Sequence, residues 1–480
     1  MAQKLWLINK YFGGLSSGEK RGIEGSFKYG ENLDIRSDPD GLKPSFKLTK
    51  NSSTIIADLP KWIIPVGTNF YAYGDVGKIY KKTTSWELLQ TTSSAAGQGL
   101  AYFNDYVYYR QNTQLGRYGL ISGSPSFTDN YKTGLTSITD HAPIMPFTNK
   151  MLVANGRYLA TLDDSEVWSA TALTLPPDEK IRALADLGDY AAIGTWKGST
   201  VSNFSKGRIY FWDGTSTTYN SFIEVSGAVN AILNYKNIIL TIIGSVGDLY
   251  ALSGAGGQAL KIKRMSLLPS AGKFVEVYPG AVGDWKDIAY FGAYGDSDDT
   301  TVLKGVYTYG STDKDYPQAL NFEHLISTGT KTGNNTKVGA VCGTGPTSFY
   351  VGWRDGSSYG IDLIDTTTYT ATCYYQPLMF DGGEAYREKW FTEFVVNFKP
   401  LTTGQSIELQ YKLNRTSSWT SLGTISYDAS NTGKTYEKIT SSTPLRNNEF
   451  ELQLVITTNG ATIYISSIVG TYIIEKIIGS

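Results

Sequence analysis

The stretch "GRIYFWDGTSTTYN", Gly207 to Asn220, decides the fold. Its first half alternates. Ile209, Phe211 and Asp213 fall on one face of an extended strand, and Tyr210 and Trp212 on the other. Both faces stay apolar or aromatic almost to the turn, so the strand is covered on both sides. Asp213-Gly214 predicts a tight hairpin turn, and the Ser/Thr-rich run after it a wetter return strand. Trp212 therefore reads as a packing residue between sheets rather than a platform for a sugar ring.

The design recurs. Variants lie at "NFYAYGDVGKIYKKTTSWELLQTT" (69–92), "GLAYFNDYVYYRQNTQLGRYG" (99–119), "KMLVANGRYLATLDDSEVWSAT" (150–171), 181–216, 229–254, 282–311 and 337–365. Each reads as a strand, a polar turn, a strongly apolar strand, a second turn and a strand ending in Tyr or Trp. Seven units at roughly 45 residues each match the spacing of β-propeller blades, with six or eight blades also compatible with such degenerate copies. An ordinary β-sandwich is the alternative, and the periodicity disfavours it. The stretch "TALTLPPDEKIRAL" (171–184) alone hints at a helix, and Pro176-Pro177 makes it a connecting loop.

Composition agrees. The 480 residues include 51 Gly and 34 Tyr, and charged residues make up 18%, below the roughly 25% usual for globular chains. Tyr, Thr and Trp suit pleated surfaces and Gly supplies turns. The balance of 43 basic to 44 acidic residues, with no Lys/Arg block, argues against a nucleic-acid binder held mainly by phosphate contacts, and no sequence-specific nucleic-acid partner is expected. The N-terminus lacks the apolar core and cleavage site of a signal peptide, so synthesis in a cytoplasm is expected. Apolar runs such as "IILTIIG" (238–244) are strand length, and no membrane span is expected.

Two further segments flank the repeats. Residues 1–55 hold an alternating strand (Leu33, Ile35) and the turn Ser37-Asp38-Pro39-Asp40-Gly41. They carry too little apolar content to fold alone and are expected to form an extended arm packed against something else. Residues 56–372 are assigned to the propeller. After the transition "CYYQPLMFDGGEAYREKW" (373–390), "SIELQYKL" (406–413) places Ile407, Leu409, Tyr411 and Leu413 on one face. "FELQLVI" (450–456) repeats the pattern, so residues 385–480 read as a β-sandwich with "ATIYISSIVGTYII" (461–474) as its last strands. The fold class is all-β: a propeller of about seven blades, an N-terminal arm and a C-terminal sandwich.

Chemistry is sparse. "GLSSG" (Gly14–Gly18) matches a nucleophile elbow formally, but no strand–helix context surrounds it, and it reads as a turn. His141 and His324 are the only histidines, which leaves little material for metal clusters. Cys342 and Cys373 lack a C-x-x-C partner and read as core thiols, without a disulfide framework. Asp296, Asp298 and Asp299 could hold Ca²⁺ but lack the spacing of an EF-hand, so a solvated loop is expected. A sialidase-type propeller would draw on arginines such as Arg110, Arg117, Arg157 and Arg182. Its Asp-box turns are imitated only by "TSWELL" (84–89), without the Asp or the glycine. Aromatics such as "YVYYR" (106–110) could stack on sugars, but packing between blades explains them better. No catalytic, cofactor or metal residues are assigned, and no enzyme is expected.

The combination resembles tailed-bacteriophage virion proteins that join a β-propeller to a sandwich. It is carried by "GENLDIRSDPDGLKPSFKLT" (30–49), "GLAYFNDYVYY" (99–109), "LGRYG" (115–119), "SEVWSAT" (165–171), "GRIYFWDGTS" (207–216) and "FKPLTTGQSIELQYKLN" (398–414). The resemblance covers most of the chain as pattern and brings no catalytic residues. It implies a structural subunit of the tail (nozzle, tube or tip) in the virion, made in the host cytoplasm. Its partners would be other tail subunits and further copies of itself around the tail axis. Recognition of a host-surface glycan is the alternative, and glycan hydrolysis a weaker one.

Overall fold

The computed structural model describes residues 3–474 except 39, 53, 94–96, 198–205, 255–257, 266–272, 297, 334, 414 and 417. Every regular element among the described residues is a β-strand. Four-stranded sheets follow one another along residues 60–91, 99–132, 144–174, 179–225, 229–264, 275–324 and 337–369, the last completed by Phe46–Lys50. The seven sequence repeats fall one to a sheet. The chain divides into two compact units: Thr49–Val306 with Leu325–Ile364, and Met1–Leu48 with Tyr307–His324 and Asp365–Ser480.

The larger unit is a β-propeller. Its innermost strands pack side by side in chain order: Pro60–Val66, Gly99–Phe103, Ile144–Phe147, Glu179–Asp186, Val229–Tyr235, Val275–Trp285 and Lys337–Thr344. The last returns against the first and closes the ring. Asn51 and Ser52 seal the seam by donating their N–H groups to the Ile361 carbonyl at 2.9 and 3.2 Å.

Alternation places the core. Gly207–Trp212 pairs with Ala191–Lys197 on one side and Ser221–Val225 on the other. Tyr210 and Trp212 enter a cluster with Phe147, Leu152, Leu159 and Leu173 of the preceding sheet. Ile209 and Phe211 instead join Val229, Ile232 and Ile239 of the following one. Tyr108 and Tyr109 divide in the same way, Tyr109 beside Tyr71 and Tyr73, Tyr108 beside Met151 and Val153. These aromatics are buried between sheets.

The turn after Trp212 differs from expectation. The connection spans residues 213–220 rather than a two-residue hairpin, because the Asp213 carboxylate organises a wider loop. It accepts from Thr215 N and Ser216 N, both at 2.8 Å, and from Asn220 Nδ2 at 3.1 Å. Gly214 permits this with φ of 80°.

The smaller unit is a sandwich of two sheets. One orders Gln3–Ile8, Ile465–Ile474, Lys389–Phe398 and Tyr436–Asn447. The other orders Gly14–Leu15, Ser26–Glu31, Thr372–Pro377, Phe450–Thr457, Ser406–Leu413 and Thr420–Ser426. The N-terminal segment is therefore not an extended arm, and the sandwich does not begin at residue 385. Ile8, Phe27, Leu33 and Leu42 share a core with Phe394, Ile407, Leu409, Phe450 and Ile468. The leader cannot build a core alone, so it completes that of the C-terminal strands. Arg36 fastens it further, donating to the carbonyls of Thr308, Gly310 and Ala319 at 3.2, 3.2 and 2.8 Å. Its guanidinium also pairs with Glu323 at 2.6 Å.

Candidate functional site

An inner propeller strand has a sheet on either face, so regular alternation sends its side chains sideways. A β-bulge leaves one or more residues over and re-aims them. Register slips between Pro60 and Trp62, between Ile181 and Ala183, and between Val277 and Val282. The residues left over include Lys61, Arg182 and Tyr278, and all three line a cavity of about 680 Å³ in the propeller. Gly280 lets the third bulge approach the first strand, since a Cβ there would sit 2.0 Å from the Lys61 carbonyl oxygen.

The connection before Ile144 adds Asp140 and His141, and Val275–Trp285 adds Glu276. Arg182, 1% exposed at its side chain, bridges Asp140 and Glu276 through its two terminal nitrogens. Tyr294 donates its hydroxyl to Glu276 at 2.7 Å. Burial alone would raise the Asp140 pKa, but the Arg182 charge, with a hydrogen bond from His141, outweighs it and holds the carboxyl well below its usual range.

His141 is pushed down to about 3 by burial, with Lys61 acting in the same direction. It is therefore neutral at physiological pH, with Nδ1 2.7 Å from Asp140 Oδ1. An ionised carboxylate can only accept, so Nδ1 carries the proton and Nε2 presents a lone pair. That Nε2 is buried without a hydrogen-bond partner among the described residues. The His141 ring lies 4.5 Å from the Tyr278 ring, which lies 4.2 Å from that of Tyr294.

Lys61 is 8% exposed and has no hydrogen-bonding or ion-pair partner among the described residues. Its ammonium sits 5.7 Å from the Tyr278 ring centre. Burial lowers its pKa, partly offset by Asp140. The lining thus holds one buried cation without an anion, one buried acceptor without a donor, and aromatic faces, while the less buried Arg157 and Lys180 add further positive charge.

The four arginines that a sialidase-type propeller would draw on separate here. Arg182 and Arg157 line the cavity. Arg110 is buried at 0% exposure and donates to the carbonyls of Thr136 and Asn112 at 2.7 and 3.1 Å. Arg117 pairs with Glu166 at 2.7 Å and lies over the Tyr106 and Tyr131 rings. His324 Nδ1 donates to the Phe46 carbonyl, 3.1 Å away. Cys342 and Cys373 are buried free thiols, and burial pushes Cys342 up to about 12. "GLSSG" begins with the short strand Gly14–Leu15, and beyond it Ser16 Oγ donates to Arg21 O and accepts from Gly18 N. Asp298 pairs with Lys273 at 2.7 Å, Asp296 accepts from Phe274 N and Asp299 from Thr301 N. Sequence alone does not single out Lys61, Asp140, Glu276 or Tyr278. Their only local signal is the Pro279-Gly280 pair inside a strand pattern, which marks a bulge.

No family model and no curated protein matches the chain. Solved structures similar to it include the extracellular domain of BT4673 from B. thetaiotaomicron, at 11% identity and TM-score 0.45 over 79% of this chain and 45% of that one. The chain thus spans less than half of that protein. The Neurospora crassa Pan2 WD40 domain aligns at 10% identity and TM-score 0.42, over 70% of this chain and 98% of that one. The computationally designed Ika8 protein aligns at 11% and 0.41, over 74% and 100%. Likeness at this level transfers no function.

Proposed function

We propose that the chain is a structural subunit of a bacteriophage tail, present in several copies around the tail axis, and that it performs no catalysis. The sequence resemblance motivates the reading, and one observation supports it. Gln3–Ile8 is the edge strand of its sheet, with Trp6 turned into the core but Leu5 and Leu7 exposed at 67% and 55%. An open edge with apolar side chains invites pairing with another subunit. Removing the leader would also empty the sandwich core, so the test keeps the fold: Leu5→Glu with Leu7→Glu. Incorporation into particles should fall sharply while thermal unfolding stays within about 0.5 kcal/mol of wild type. Normal incorporation of this variant overturns the role of the edge.

Recognition of a host-surface glycan is the second reading, and the cavity with its unpaired Lys61 favours it. Binding by purified protein on a glycan array, with product analysis for cleavage, separates it from scaffolding and from hydrolysis.

A further inference from the structure

The geometry points to the propeller cavity as a binding site for a singly charged, hydroxylated carboxylate, the chemical class of uronic acids. It would bind with its carboxylate on Lys61 and a hydroxyl donated to His141 Nε2, which a small shift of the ring would uncover. The inference stands on the larger unit alone and does not depend on assembly into a tail.

Four observations carry it. The volume of about 680 Å³ lies within the ~300–1,000 Å³ of small-ligand pockets. Lys61 is more than nine-tenths buried as a residue, and its ammonium has no anion or acceptor among the described residues. A buried, unpaired cation is costly unless something brings it a counter-charge. His141 supplies an acceptor whose orientation is fixed by Asp140, and which no donor among the described residues uses. Tyr278 lies against the imidazole at 4.5 Å and 5.7 Å from the ammonium, so both polar groups gather around one aromatic ring.

The buried charges of the lining argue for a single charge on the ligand. Arg182 is spent on Asp140 and Glu276. Glu179, another lining residue, pairs with Arg208 at 3.3 Å and Lys197 at 3.7 Å. Among the described residues, Lys61 is the one buried cation of the lining left for a ligand; Arg157, Lys180 and Asp178 also line the cavity but are less buried. A monoanion meets it, whereas a phosphate dianion would bring a second charge facing Asp140 and Glu276. A neutral sugar would satisfy His141 and leave the ammonium unpaired.

The test is titration calorimetry and saturation-transfer NMR on the full chain with glucuronate, glucose and inorganic phosphate. Glucuronate should bind saturably, at least about tenfold tighter than either of the others. Lys61→Met, which keeps the stem's packing, should weaken glucuronate at least about tenfold and leave glucose unchanged. Should that variant fail to fold, the wild-type chain still decides. Absence of saturable glucuronate binding, or glucose or phosphate binding as tightly, overturns the assignment, as does a folded Lys61→Met variant with unaltered affinity. Loss of particle incorporation reads on the tail proposal and leaves this result untouched.

Discussion

Trp212→Ala is the substitution that most directly tests how the sheets are held together. The indole is 2% exposed and packs among Phe147, Leu152, Leu159 and Leu173 of the neighbouring sheet. Truncation removes that contact and leaves a cavity that two rigid sheets cannot collapse around, which costs about 3–5 kcal/mol for a buried Trp. It also deletes the Nε1 donor to the Ser216 carbonyl, 2.7 Å away, which loosens the loop behind it. For a unit of about 300 residues, this loss corresponds to a fall of roughly 5–8 °C in melting temperature. Trp212→Phe keeps most of the packing and should cost less than half as much. Calorimetry reads the stability of both variants, and glycan or particle binding is measured on the same samples below the transition. An unchanged melting temperature with lost binding would refute the packing argument and make Trp212 a recognition residue.

Arg36→Met should cost about 3–5 kcal/mol in the sandwich unit, because Glu323 is left buried without its partner and three carbonyls lose a donor. Limited proteolysis of residues 1–48 reports it, and unaltered resistance would count against Arg36 as a fastener. Asp213→Ala should cost about 1 kcal/mol by releasing the Thr215, Ser216 and Asn220 donors, read by urea unfolding. His141 gives the pH dependence. Its folded pKa of about 3 lies below the ordinary histidine value of 6.5, so the unfolded chain binds the proton first. The stability it contributes is fully present above pH 6.5 and drains as pH falls toward 3, with about 2 kcal/mol gone at pH 5. Urea unfolding from pH 7 to 5 should show this loss, and His141→Asn should flatten it. His324, also lowered by burial, works in the same direction. An identical slope in the variant would rule out His141 as a source.

What can be read in advance follows from where information sits along the chain. The two faces of Ile209–Trp212 are written in adjacent residues, so their burial toward opposite neighbours is legible. Phe27 pairs opposite Pro377, and Gln3 opposite Ile473. Nothing local in "QKLWLI" names a partner that distant, so the leader reads as an arm. The cavity is hidden for a related reason. Lys61, His141, Arg182 and Glu276 come from four different sheets or their connections, and the two that attract attention singly, His141 and Arg182, show no relation in sequence. Each looks ordinary alone, and where both faces of a strand are apolar the phase shift of a one-residue bulge leaves little trace in the pattern.

The seam at Asn51, Ser52 and Ile361 also has a consequence in time. The two sides of that seam leave the ribosome roughly 300 residues apart, which at about 5–20 residues per second is on the order of 15–60 s of synthesis. During that interval each new sheet can dock on the one before it, but the ring stays open at its first strand. The strand Gln3–Ile8 waits longer still, because its partner Ile465–Ile474 is made after the whole propeller. Trp6, Leu5 and Leu7 are therefore synthesised before the ring and find their place only after it. Until then the nascent chain carries an unpaired, sticky strand. A holdase acting on Gln3–Ile8 would raise the yield of folded protein more than one acting on a propeller strand, whose partner follows within a few residues.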